Sequence, residues 1–302
     1  MKKTLIIGST VTDVIINIPH LPKQSEDINI TYQKQQLGGC AYNVSHLLKL
    51  SNVPYILCSP VGTGIYGDFV ASELHKVGIT PFMRLDNIEN GCCYCIVDEI
   101  GERTFLCKHG AEYIFKKEWM KNINLQEVDS VYFCGLELEE ETGEEIVSFI
   151  EEHPELTKFF APGPRINKIP LNLMQRILRA KPIIHLNQKE IYSYTGTNFI
   201  EEAAIKLQKL SENIVIVTLG ENGTYYMENG KGYNVPAIPT KVTDTIGAGD
   251  SHIASIISFL KQGDSLEKAI QKANIVSSAV VSTRGSLLSQ EKYNQLSNNF
   301  LI

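Results

Sequence analysis

Short apolar runs alternate with amphipathic segments along most of the chain, and this rhythm restricts the fold more than any other feature. Strand signals fall at Thr4–Ser9, Tyr55–Val61, Val131–Leu136, Lys158–Phe160, Pro182–Leu186 and Ile214–Leu219. Helical faces lie between them: Ala41, Val44, Leu47 and Leu48 make one, and Phe69, Val70, Leu74 and Val77 make the next, closed by Gly78. Two helices end the pattern, the second opening at Asp264-Ser265-Leu266-Glu267, the spacing of a capping box. Strands alternating with helices predict an α/β fold whose central sheet is mostly parallel, with helices on both faces. Ligands of such sheets bind beyond the carboxyl ends of the strands. A chain of 302 residues is ample for one large α/β domain with a small accessory element.

Two stretches break the rhythm. Residues 13–37 are polar, carry Pro19 and Pro22, and include the alternating run Asp27-Ile28-Asn29-Ile30-Thr31-Tyr32. Residues 91–109 alternate similarly around the turn Glu99-Ile100-Gly101-Glu102. Both read as exposed antiparallel strands inserted into the α/β core. A third feature, the hairpin Thr224–Val235, follows a glycine turn.

Near the carboxyl end, Asp244-Thr245-Ile246-Gly247-Ala248-Gly249-Asp250 feeds a helix marked by Ile253, Ile256, Ile257 and Leu260. A glycine-rich turn at a helix start leaves backbone N–H groups without intrahelical acceptors. Those donors, with the positive end of the helix dipole, attract an anion such as phosphate. Asp250 lies beside that anion site, where a bare carboxylate is electrostatically disfavoured unless it handles a proton. The functional reading is phosphoryl transfer; the structural alternative is an acidic N-cap on an ordinary buried helix.

This run resembles the carboxyl-terminal signature D-T-x-G-A-G-D of the PfkB (ribokinase-like) family of carbohydrate and nucleoside kinases, matching every fixed position. Three further runs are similar to family elements and occur in family order. Gly38-Gly39-Cys40-Ala41-Tyr42-Asn43 resembles G-G-x-x-x-N, Asn187-Gln188-Lys189-Glu190 resembles N-x-x-E, and Thr218-Leu219-Gly220-Glu221-Asn222-Gly223 resembles T-x-G-x-x-G. The resemblance implies one ribokinase-like kinase domain over residues 1–302, in which the two inserted segments form a small β lid over the substrate and a homodimer surface. It implies an ATP- and Mg²⁺-dependent kinase acting on a hydroxymethyl group of a sugar or ribonucleoside.

Roles follow from the resemblance position by position. Asp250 is the general base, and the amides of Gly247, Ala248 and Gly249 form the anion hole. Asp13, Gly38, Gly39 and Asn43 bind the acceptor's hydroxyls; Asp13 alone would also read as a turn or cap residue. Asn187 and Glu190 organise ATP and Mg²⁺, Glu190 largely through water, since Mg²⁺ keeps several waters. Thr218, Gly220 and Gly223 line the nucleotide, and Asn274 matches a position bordering the adenine. Arg165 resembles the arginine of D-P-x-x-R, although Ala161 stands where that motif has its acid. Asp244, the Ile246 carbonyl and the Ser282–Gly285 segment, with Ser289 nearby, match a site for a monovalent cation such as K⁺. His252 stands where relatives often have an aromatic residue, and packing is its expected role. Tyr42 would stack on a base or cover a sugar face.

A net charge of −6 without any Lys/Arg block argues against nucleic acid as a partner. No apolar run reaches a membrane-spanning length, and Met1-Lys2-Lys3 leads directly into the first strand rather than a signal-peptide core. Seven cysteines is an odd number for a disulfide framework, and Cys92-x-x-Cys95 lacks the second pair of a structural zinc site. Reduced thiols in a cytoplasmic protein are the expectation. Gly62-Thr63-Gly64-Ile65-Tyr66-Gly67 satisfies the dinucleotide fingerprint G-x-G-x-x-G, with Asp86 downstream, and supports an NAD-dependent oxidoreductase as the alternative. That fingerprint usually opens the first βαβ unit, whereas a strand and a helix precede this one. A sugar-sensing regulator without chemistry would need a damaged site, and Asp250 is intact.

Overall fold

The computed structural model describes residues 1–283, 285, 287–297 and 300. From the amino end the elements are β1 (Lys3–Ile7), β2 (Val11–Asn17), β3 (Tyr32–Gly38), α1 (Cys40–Leu50), β4 (Tyr55–Cys58), β5 (Pro60–Thr63) and α2 (Gly64–Lys76). There follow β6 (Met83–Glu89), β7 (Cys92–Val97), β8 (Arg103–Lys108), β9 (Val128–Cys134), α3 (Gly143–Glu152), β10 (Thr157–Ala161) and α4 (Leu171–Arg179). The chain continues through β11 (Ile183–Asn187), α5 (Gln188–Thr195), α6 (Ile200–Ser211), β12 (Val215–Thr218), β13 (Thr224–Glu228) and β14 (Lys231–Val235). Three helices close it: α7 (Ala248–Lys261), α8 (Leu266–Val281) and α9 (Gln290–Ser297).

Residues 1–7, 43–57 and the chain from Phe115 on form one compact unit. Its eight-stranded sheet has the order β14-β13-β12-β11-β10-β9-β1-β4. β1, β9, β10, β11 and β12 pair in parallel, and the β13–β14 hairpin adds an antiparallel edge. Leu5, Ile6 and Ile7 are at most 1% exposed, and Val131, Tyr132 and Phe133 are 0% exposed. Successive strand residues point to opposite faces, so both faces of the sheet are covered, as a parallel sheet between helical layers requires. One helical group is α3, α4, α5 and α6; the other is α7, α8 and α9. Phe133 and Phe160, paired across β9 and β10, stack with ring centroids 4.9 Å apart. Strand order changes direction at β1 and β9, the kind of switch point beside which ligands bind.

The single buried stripe predicted for α7 is an underestimate: every residue from Ser251 to Phe259 is buried. The helix lies against β11 and α8 together, so almost no side of it faces water. The hairpin Thr224–Val235 forms as expected, turning at Asn229 and Gly230 with φ of 51° and 75°, the left-handed pair that a two-residue hairpin turn demands. The cap of α8 falls one residue later than predicted. Ser265 accepts from the Lys268 amide at 3.4 Å, while Asp264 pairs with Lys272 at 2.7 Å.

Residues 8–42 and 58–114 form the second unit. It holds a four-stranded sheet, β3-β2-β7-β8, a two-stranded sheet, β5-β6, and α2. The hairpin expected within 91–109 is present as β7 and β8, in antiparallel register Cys93↔Cys107. Two expectations need correction. The 13–37 stretch contributes β2 and β3, in register Asp13↔Gln36, but the alternating run at 27–30 is not a strand. Ile30 is 51% exposed, so alternation there has no buried face to serve. The sheet is also mixed rather than antiparallel, because β2 and β7 run parallel. Finally, the strand predicted over Tyr55–Val61 is two strands in different sheets, β4 and β5. Pro60, without an N–H to donate, stands at the first position of the second one.

Candidate active site

Gly247 is the N-cap of α7, held at φ 72°, and as a glycine it brings no side chain to cap the helix start. The left-handed conformation favours glycine because a Cβ would clash with the backbone. Intrahelical bonding begins with Ser251 N donating to Gly247 O at 2.8 Å, and the Ala248 amide makes a long turn contact of 3.3 Å to Thr245 O. A Cβ built on Gly249 would meet nothing within 4 Å, so the space above this turn is open. Asp250 is a first-turn residue of this helix rather than its N-cap. Its Oδ2 accepts a hydrogen bond from Asn43 Nδ2 at 2.8 Å. The glycine turn can receive an anion through backbone N–H groups and dipole, with an oriented carboxylate alongside.

β11 ends at Asn187, and α5 starts there with a capping box: Asn187 Oδ1 accepts from Glu190 N at 3.0 Å, and Glu190 Oε2 accepts from Asn187 N at 2.9 Å. Asn187 Nδ2 also donates to Glu190 Oε1 at 2.7 Å. Burial pushes the half-buried Glu190 carboxyl above the usual carboxylate range, and the negative charge of Asp250 adds to it. A carboxylate so disfavoured, on the same side as an anion-binding turn, fits a hydrated divalent cation. Thr218 ends β12, and Gly220 and Gly223 take φ of 60° and 86° in the turn to β13. At Gly223 a Cβ would lie 2.1 Å from Val235 O, so that glycine serves the turn's close packing. Asn274 is buried rather than solvated. Nδ2 donates to Pro236 O at 2.9 Å, and Oδ1 accepts from Thr224 Oγ1 at 2.8 Å.

His252 packs as expected, but as part of a polar contact: its Nδ1 lies 2.9 Å from Nε2 of His185, a residue that sequence reading passes over. Glu137 is missed as well. It is 2% exposed just beyond β9 and accepts from the Cys134 thiol at 2.7 Å; an acid directly after an apolar strand is the available signal.

Asp244 is 7% exposed and clips two loops together. Its Oδ1 accepts from Ile246 N at 2.8 Å and its Oδ2 from Gly285 N at 2.9 Å. This brings the loop after Asp244 to the Gly285 segment, whose Arg284 lies outside the described residues. Ser282 Oγ donates back to Ala279 O at 2.8 Å, and Ser289 Oγ accepts from Lys292 N at 3.2 Å at the start of α9. Arg165 pairs with Glu139.

In the second unit, Asp13 and Gly38 meet on β2 and β3. A Cβ on Gly38 would fall 2.0 Å from Asp13 Oδ2, so glycine makes room for that carboxylate. Gly39, at φ 97°, approaches Ser9 O so closely that a Cβ would lie 2.4 Å away. The G-x-G-x-x-G run joins β5, a strand of the small β5–β6 sheet and not of the large parallel sheet, to α2. A Cβ on Gly62 would lie 2.2 Å from Ile88 O, and one on Gly67 2.3 Å from Gly62 O. Gly62 serves backbone packing in the β5–β6 sheet, and Gly67, on α2, serves the close approach of that helix to β5.

The pfkB family carbohydrate kinase profile matches residues 1–292. Over 289 residues the chain is 33% identical to the uncharacterized sugar kinase YegV of Escherichia coli, covering 94% of this chain and 90% of that one. It is 24% identical over 302 residues to the deoxyribokinase of Salmonella typhi, covering 96% and 97% of the two chains. The structure of Arabidopsis thaliana ribokinase complexed with ribose and ATP superposes with a TM-score of 0.83 at 21% identity, covering 98% of each chain. That last likeness shows the shared fold. Among the described residues no helix is long and apolar enough to cross a membrane.

Proposed function

The chain belongs to the pfkB family of carbohydrate kinases, and on that premise we propose that it phosphorylates a hydroxymethyl group of a sugar or ribonucleoside, with Asp250 as general base. The carrying observation is the glycine-built start of α7 with Asp250 oriented by Asn43. Mg·ATP, when bound, supplies the electrophilic γ-phosphoryl group. Amides of Gly247, Ala248 and Gly249 hold phosphoryl oxygens, and Asp250 takes the proton of the acceptor hydroxyl. Enzymes of phosphoryl transfer work mostly by positioning and charge stabilisation, which this constellation provides.

Asn187, Thr218 and Gly220 face the nucleotide in this reading, with Gly223 shaping the turn and Asn274 supporting it from beneath. Glu190 would hold Mg²⁺ through water. Asp244, each of whose oxygens accepts from a backbone amide, would shape a K⁺-type site from carbonyls such as that of Ile246. Asp13, Gly38, Gly39 and Asn43 bind the acceptor. A site of carboxylate and amide groups rejects analogues lacking a hydroxyl, because its polar groups would be left unpaired. Arg165, held by Glu139, supports the acceptor end. The four-stranded sheet acts as a lid and homodimer surface within one catalytic domain, and the protein works in the cytoplasm.

The test is ADP release from Mg·ATP with ribose, 2-deoxyribose, ketohexoses, their phosphates and ribonucleosides, repeated with Asp250→Asn. Turnover on one acceptor class that drops roughly 10²–10⁴-fold in the variant supports the mechanism. Full turnover in Asp250→Asn overturns it.

A further inference from the structure

Four polar residues are buried together beneath the site, and the mechanism above uses only one of them, Asn274. His185 is 4% exposed, His252 2%, Thr224 1% and Asn274 8%. Each sits close to a site element. His185 lies on β11 two positions before Asn187, His252 on α7 two positions after Asp250, and Thr224 directly after Gly223.

Hydrogen-bond geometry fixes where the protons are. Asn274 Nδ2 points at carbonyl oxygens, Pro236 O at 2.9 Å and Val235 O at 3.4 Å, so Oδ1 is the end turned inward. A carbonyl oxygen only accepts. His252 Nε2 lies 3.0 Å from it and 3.2 Å from Thr224 Oγ1, which donates to the same oxygen at 2.8 Å; the tautomer with hydrogen on Nε2 is the one in which two acceptors do not face each other. With Nε2 protonated, a neutral His252 has an accepting Nδ1, so His185 Nε2 must donate across the 2.9 Å between them. Every bond then runs one way, from His185 through His252 to Asn274 and on to Pro236. Burial holds both imidazoles in the neutral form this requires, pushing His252 down to about 4 and His185 well below the ordinary histidine value.

Apolar side chains would fill this space without the cost of desolvating two imidazoles. What the polar chain adds is direction and register: fully satisfied buried networks rigidify their surroundings and select one arrangement. We infer that His185 and His252 are positioning residues for phosphoryl transfer, a one-way hydrogen-bonded link that sets the Gly247–Asp250 helix start against the Asn187–Glu190 cap and the Thr218–Gly223 turn. This rests on the kinase reading given above.

The experiment compares His185→Met, which fills the space without a donor, with His185→Gln, whose amide can restore the donor at the Nε2 position. Both are measured with Mg·ATP and the best acceptor of the panel, beside Asp250→Asn and with thermal unfolding of each variant. Loss of an outer-shell hydrogen bond behind a metal ligand typically costs about 10–100-fold, and an effect of the same order is expected behind these site elements. The expected result is a kcat drop of that size in His185→Met with acceptor KM little changed, and recovery of most of kcat in His185→Gln. If His185→Met lowers the unfolding temperature but not kcat, or if His185→Gln is as impaired as His185→Met, the inference is overturned. Should His185→Met fail to fold, Thr224→Val, which removes one donor to Asn274, must lower kcat more than KM, and unchanged kcat there overturns it. Full turnover in Asp250→Asn brings down the kinase mechanism and the inference together. Turnover abolished in Asp250→Asn but untouched in the histidine variants brings down the inference alone.

Discussion

Asn43 Nδ2 donates to Asp250 Oδ2 over 2.8 Å, joining the first turn of α7 to a residue of α1 that lies 207 positions earlier. The bond engages Oδ2 and orients the carboxyl group at the start of the helix. It also joins the first of the family-like motifs to the last, so a residue expected to bind the acceptor aligns the expected base.

Asn43→Ala should therefore cost turnover and not only acceptor affinity. A hydrogen bond to a charged group contributes about 1.5–3 kcal/mol, so kcat/KM is expected to fall by about one to two orders of magnitude, much of it in kcat. Asn43→Asp should be worse, because a second carboxylate would face Asp250 at hydrogen-bond distance. Steady-state kinetics of the two variants check this. Asn43→Asp with wild-type kcat would contradict the alignment role.

Gly249 and Gly247 should separate stability from activity. Gly249 lies inside α7 with open space where a Cβ would go, so Gly249→Ala improves helix propensity by about 1 kcal/mol at no steric cost within the protein. The same methyl group would occupy the space through which phosphoryl oxygens reach the turn. Unfolding temperature should hold or rise while kcat falls at least tenfold. Gly247→Ala instead forces an alanine to φ 72°, at a cost of about 1–2 kcal/mol, and should lose stability as well. Paired thermal melts and kinetics read both effects.

Contiguous chemistry is what sequence shows well here. Asp244–Asp250 and Asn187–Glu190 each carry turn, cap and charge within one short run, so their local geometry follows from residue type, and the capping box at Asn187 forms as such a run allows. The parallel sheet was equally readable, because strands buried on both faces read as unbroken apolar runs. Contacts between distant segments were not. His185 and His252 are 67 positions apart, and no local pattern pairs one histidine after an apolar run with another inside a helix. The run at Asp27–Tyr32 misled for the opposite reason. Its period was right for a strand, but pairing partners are supplied by tertiary structure, and those of β2 lie at Tyr32–Gly38. Pro60 could have divided the predicted Tyr55–Val61 strand on its missing donor alone.

Acid should destabilise the protein before its carboxylates titrate. His252 is pushed by burial from 6.5 down to about 4. Its folded value lies below its unfolded one, so between those values the unfolded chain binds a proton that the native state refuses. Stability is thus full above about pH 6.5 and is lost as pH falls toward 4, by on the order of 3 kcal/mol from this group. His185 and His46, also lowered by burial, act in the same direction. Unfolding temperature should drop from pH 7 to pH 5, and His252→Phe should flatten that slope. A slope identical in the variant would show that the imidazole is not responsible.

Glu190 gives the opposite sign and a separate test of the cation reading. Burial and the charge of Asp250 raise its carboxyl above the ordinary 4.5, so the stability it contributes is present in acid and lost as pH rises through the folded value. At neutral pH the ionised group is a cost to the protein without ligand. Glutamine keeps the capping bond, since its side-chain oxygen can still accept from Asn187 N; it gives up the bond from Asn187 Nδ2 but removes the half-buried charge, the larger cost. Glu190→Gln should therefore melt at the same temperature as the wild type or higher in the absence of divalent cation. The wild type should gain stability on addition of Mg²⁺ with ATP, because a ligand of the native state raises its stability by mass action. The variant should gain less and need more Mg²⁺ for half-maximal turnover. A variant that melts lower without cation, yet keeps the wild-type Mg²⁺ requirement, would mean that Glu190 serves the cap alone.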